Sequence, residues 1–131
     1  MSDAGEHLAE LIPNRVVRAL KATAVCERGE VGIVLSMYRS AARDAPYGCY
    51  ILFAGKRFDG WVESEVKRFL EVLPVVIDGP EYIFRNAMTL GQDLRIGRFD
   101  ARLEQASREA GRFPMPEEKF WWPACLRKGS D

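Results

Sequence analysis

Two carboxylates four residues apart, Asp59 and Glu63, stand in the stretch FAGKRFDGWVESEV, residues 53–66. Such a pair can divide general acid and base roles when its surroundings push the two pKa values apart, as in sugar hydrolases. Local chemistry gives these two another use. Asp59, in FDGW, can accept a backbone N–H across the turn before Gly60, and Glu63 falls where a helix would begin. The spacing predicts a pair that ties down the bend between a strand and a helix. With His7 as the only histidine, neither a histidine-rich zinc site nor a positioned Ser-His or Cys-His pair on the folded core is available. Cys49 falls within a strand pattern, the setting of a buried small hydrophobe rather than of a thiolate activated by Arg or Lys. The glycines match neither G-x-G-x-x-G nor G-x-x-x-x-G-K-[ST], so the sequence supports no nucleotide cofactor. No catalytic residue, metal ligand or cofactor is expected.

Binding chemistry has more candidates. Arg95, Arg98 and Arg102 recur at i, i+3 and i+7, and on one continuous helix they would share a face able to meet phosphates or an acidic surface. Asp93, Asp100, Glu104 and Glu109 interleave with them, and Glu104 with Arg108 is an ordinary surface pair at i, i+4. Near the C-terminus, KFWWPACLRK sets Trp121 and Trp122 beside Arg127 and Lys128. Those rings could stack on bases or fill a partner's pocket, or the tail could fold back and bury them.

The elements that must position these groups follow from composition and pattern. A chain of 131 residues, 47% hydrophobic and 29% charged, is about one ordinary globular domain able to bury a core without staples. Its 19 basic and 19 acidic residues cancel, so no overall field draws it to nucleic acid or an anionic membrane. Cys26, Cys49 and Cys125 form no C-x-x-C pair and leave one over in any disulfide scheme, which points to reduced thiols and a cytoplasmic setting. No leader-like n-region and h-region and no membrane-length apolar run is present.

Residues 1–14 are expected to be a loosely held arm. RVVRALKATAV and EVGIVLSMYR read as two strands joined through CERGE, and residues 40–48 as a longer loop. Around Gly55 and Lys56, CYILFAGKRFDGWV reads as a hairpin. Val66, Phe69, Leu70 and Leu73 fall at i, i+3, i+4 and i+7, which predicts a short amphipathic helix with Ser64 as its N-cap. PVVIDGP would add a brief closing strand. Residues 81–111 read as helical, with a break or kink at Gly91 or Gly97. The class is therefore α+β, with a β unit at 15–77 and a helical extension and Pro/Trp-rich tail at 78–131 packed on it.

The order of strand, ERGEVGIVLSM, loop, YILFAGKRFDGW and short helix resembles a small SH3-like barrel of the KOW and Tudor kind over residues 15–77. The residues concerned are Gly29, the Gly32-Ile33-Val34 step, the strand from Tyr50 to Phe53 and the tight turn at Gly55. The resemblance implies a small antiparallel partial barrel and a binding module for protein segments or nucleic acid. The favoured reading is a cytoplasmic, non-catalytic interaction module for a protein partner, presenting Tyr47, Tyr50, Phe58 and Trp61. The alternative is nucleic-acid binding through Arg95, Arg98 and Arg102 with Trp121 and Trp122. A hydrolase using Asp59 and Glu63 is the third.

Overall fold

The computed structural model of the chain describes residues 11–38 and 48–116. In β1 (Arg15–Ala19) the β-branched neighbours Val16 and Val17 are both fully buried, one on each face, as the two-residue period of a strand requires. β2 (Val31–Tyr38) returns antiparallel to it with Val16 opposite Ile33 and Val17 opposite Gly32. The turn that enters β2 closes with the Glu30 amide donating to the Glu27 carbonyl at 2.9 Å, and Gly29 takes the left-handed φ of 88° that this turn needs. β3 (Gly48–Phe53) and β4 (Phe58–Val62) form the expected hairpin. Its left-handed position falls on Lys56, at φ 68°, rather than on Gly55. Glu30 ties the two turns together, accepting from the Glu27 amide at 3.0 Å and from the Gly55 amide at 2.7 Å.

α1 (Glu63–Phe69) starts directly from β4. Its N-cap is Val62, whose amide donates to the Glu65 carboxylate at 3.0 Å, and not Ser64. The helix also ends earlier than its apolar spacing suggests. Leu70 and Leu73 belong to β5 (Leu70–Val76), where they are buried on opposite faces of the sheet. Pro74 cannot continue a helix, and β-branched Val72, Val75 and Val76 favour extended backbone. Pro74 is accommodated because β5 is an edge strand.

All pairings are antiparallel, in the order β4-β3-β2-β1-β5, with register shifts at Val34/Ser36 and Arg15/Val17. Such irregularities bend a strand and raise its twist. Residues 81–86 are not helical; α2 (Ala87–Arg95) begins at Asn86, whose side chain accepts from the Thr89 amide at 2.9 Å. The break expected in this region lies at Gly97, with φ 77°, and α3 (Asp100–Ala110) follows. Strands followed by this helix pair make the class α+β, as the sequence indicates.

The sheet is covered on both faces. Val16, Ile33, Leu35, Leu52 and Leu73 pack with Leu90, Phe99, Leu103 and Ala106 of the helical segment. Val17, Val34, Ile51, Phe53 and Leu70 pack on the other side with Trp61 and Val66. Arg18 bolts the helical layer to the sheet. Its side chain is 5% exposed, pairs with Glu71 at 2.7 Å, and donates to the carbonyls of Ala110, Phe113 and Pro114 at 3.3, 2.5 and 3.2 Å. Ala110 is the last residue of α3, and Phe113 and Pro114 follow in the segment that leaves it. At the start of the chain, Asn14 is buried and donates to the Gly79 carbonyl at 2.6 Å, so residues 11–14 are held, with Leu11 packed on the Trp61 side. The first ten residues of the expected arm lie outside the described residues.

Candidate interaction surfaces

Asp59 and Glu63 do not form a pair. Asp59 is exposed and accepts from the Gly60 amide at 2.8 Å, whereas Glu63 faces Lys67 at 3.8 Å on the outside of α1. Asp59 instead shares a shallow groove of about 360 Å³ with Glu65. Residues 22–25 of the β1–β2 connection, residues 59–61 of β4, and Glu65 and Phe69 of α1 line it. Glu65 reads from the sequence, with Glu63, as a carboxylate at the start of the helix, and its place in a groove was not foreseen.

Trp61 forms the inner wall of this groove and is only 6% exposed. It meets Phe53 and Phe69 edge-on at centroid distances of 6.0 and 6.4 Å. Its expected place on the exposed surface is corrected: Trp61 lies opposite Cys49 in register, two residues from Asp59, and points with Ile51 and Phe53 into the core. Its indole N–H is enclosed without a hydrogen-bond acceptor, a state that proteins seldom leave unsatisfied.

Tyr50 and Phe58 are half-buried on the opposite face of the sheet. They belong to a run of rings: Tyr50 lies 5.3 Å from Phe84, Phe58 6.0 Å from Phe84, Phe84 5.4 Å from Tyr82, and Tyr82 4.9 Å from Phe99. This packing joins the hairpin to the helices and leaves both rings only partly exposed. Tyr82 and Phe84 were missed. Their two-residue alternation in EYIFRN signals extended chain, but it sits in a region rich in helix-forming residues. Tyr47, Trp121 and Trp122 lie outside the described residues.

The three arginines do not share a face, because Gly97 interrupts the helix between them. Arg95 ends α2 and is exposed. Arg98, in the link, lies 3.6 Å from Asp93 and over the Tyr82 ring at 5.7 Å. Arg102, on α3, donates to the Asn14 side chain and to the Pro80 carbonyl, and stacks over Phe99 at 6.0 Å. Burial, and then the nearby charge of Arg98, lowers its pKa. Arg102 is a half-buried tie between α3 and residues 14 and 80, whereas Arg98 is an exposed one, its side chain 57% accessible.

The described thiols are shifted away from their ionised form. Burial pushes Cys49 up to about 12, and burial also raises Cys26 against the opposing hydrogen bond from Thr23. A thiol nucleophile needs the reverse shift. Tyr82 donates its hydroxyl to Asp93 at 2.6 Å and is pushed up to about 12 by burial, by that bond and by the charge of Asp93. Among the described residues no group of three His, Cys, Asp or Glu is placed to hold a metal ion. No helix among them is long and apolar enough to cross a membrane. The chain matches no protein-family model and no curated protein.

Proposed function

We propose that the chain is a non-catalytic binding module for an extended segment of a protein partner. The observation that carries this reading is the groove beside β4. It has apolar walls from Val25, Trp61 and Phe69 and, among the described residues, two carboxylates outside any ion pair and an enclosed indole N–H without an acceptor. β4 is an edge strand, and an edge offers unpaired backbone groups to an added strand. The strand order, with a helix between β4 and β5, supports the resemblance to SH3-like barrels, whose members bind protein segments or nucleic acid. Nucleic-acid binding has weaker support, since Arg95, Arg98 and Arg102 share no helix face and Arg102 is engaged by Asn14 and Pro80. The separate surroundings of Asp59 and Glu63 argue against two-carboxylate hydrolysis. The free, buried thiols of Cys26 and Cys49 suit a cytoplasmic setting.

The test avoids Trp61→Ala, which would remove about 3–5 kcal/mol of core packing and report folding rather than binding. Ala22 and Ala24 are exposed at the groove, so Ala22→Gln and Ala24→Gln fill it without touching the core. Peptides selected from a random-sequence display library should shift the NMR signals of residues 22–25, Gly60 and the Trp61 indole. The double variant should weaken them about tenfold, equivalent to ~1.4 kcal/mol. Failure to select any peptide, or equal binding by the double variant, would reject the groove as the site.

A further inference from the structure

Tyr82 is buried and Phe84 half-buried, so Ile83 between them is turned outward and stands 78% exposed. Met88 on α2 and Ile96 at its end are 72% and 75% exposed. On α2 itself Leu90 and Asp93 face inward, which leaves Met88, Gln92 and Arg95, at i, i+4 and i+7, along the outward side. Three of the four most exposed large apolar side chains among the described residues thus fall within residues 83–96. They alternate there with Arg85 and Arg95, both exposed and, among the described residues, without a carboxylate partner. The stretch 82–99 contains three arginines and a single acidic residue, Asp93. That acid is already engaged by Tyr82 and Arg98. Glu81 and Asp100 flank the stretch, Asp100 already paired with Lys56 at 2.6 Å, and within it the outward positions are apolar and cationic.

We propose that the outward side of residues 83–96 docks an acidic amphipathic segment of a partner protein, at a second surface separate from the groove beside β4. Exposed apolar side chains gathered in one short stretch, rather than scattered over the surface, suit an interaction site. The partner's apolar residues cover Ile83, Met88 and Ile96, while its carboxylates meet the forked guanidinium groups of Arg85 and Arg95. Charge complementarity selects the occupant. Aliphatic side chains offer nothing to a phosphate backbone, and two arginines give little hold on an anionic bilayer.

The test uses the full chain and a fluorescein-labelled synthetic helix of about 18 residues, five turns, with Leu along one face and Glu on the others. A matched peptide carries Lys in place of Glu. The acidic peptide should raise the anisotropy saturably and the basic one should not. Met88→Asp and the double change Arg85→Glu, Arg95→Glu should each weaken binding about tenfold or more, and added salt should weaken it further. All three positions are exposed, so melting curves should be unchanged. The groove variants Ala22→Gln and Ala24→Gln should bind the acidic peptide normally, which separates failure of this surface from failure of the groove. Absent binding, equal binding of both peptides, or indifference to the substitutions would overturn the proposal. So would tighter binding to duplex DNA or to phosphatidylglycerol-containing vesicles that the same substitutions abolish.

Discussion

Tyr82 donates its hydroxyl to Asp93 at 2.6 Å, and the bond requires the phenol to be neutral. Folding raises its pKa from 10.0 to about 12, first through burial and then through Asp93. A group whose folded pKa lies above its unfolded value gives stability that is complete below the unfolded value and lost as pH rises through the folded one. The Tyr82 contribution is therefore whole below pH 10 and disappears towards pH 12. Cys49, raised from 9.0 to about 12 by burial, adds a loss of the same sign from pH 9 upward. Urea midpoints should accordingly fall between about pH 9 and 12. Tyr82→Phe should flatten that fall, and at neutral pH it should cost about 1–3 kcal/mol by removing the hydroxyl donor from buried Asp93. An unchanged alkaline slope in the variant would contradict this account. Trp61 carries the opposite lesson: a residue type enriched in binding hot spots can be committed to the core by its strand register alone.

Among the elements, β2 depends on Gly32. A Cβ there would come within 2.9 Å of the Ile51 and Phe53 side chains and 3.0 Å of the Leu52 carbonyl. Gly32→Ala should thus destabilise the protein by about 1–3 kcal/mol, read from denaturant midpoints; a neutral substitution would mean that β2 and β3 can part at little cost. The hairpin and both turns were legible because alternation and turn residues are local signals, although the first strand ends at Ala19 instead of running on to Val25. The α1–β5 junction was not. Val66, Phe69, Leu70 and Leu73 fit a helical stripe, yet Leu70 and Leu73 also fit a strand covered on both faces. Periodicity cannot separate the two for so short an apolar run. The arginine face failed for a related reason: i, i+3, i+7 spacing places residues together only on an uninterrupted helix, and Gly97 ends one. The groove could not be read at all, because residues 22–25, Asp59 and Glu65 meet only when the β1–β2 connection folds over β4.

At the scale of the whole molecule, the two covered faces make the β unit dependent on the segment that follows it. Val16, Ile33, Leu35, Leu52 and Leu73 lose their cover when the helices are removed. A fragment of residues 11–77 should lack a cooperative thermal transition and bind a hydrophobic dye, whereas a sharp transition would show that the sheet stands alone. Arg18 sharpens the point. Its guanidinium sits on the first strand, but the carbonyls that receive it lie 92 to 96 residues further on. While the chain is being synthesised, that charge has Glu71 to meet long before Ala110, Phe113 and Pro114 exist. The bonds that fasten the first strand to the helical layer can therefore form only once translation has passed Pro114.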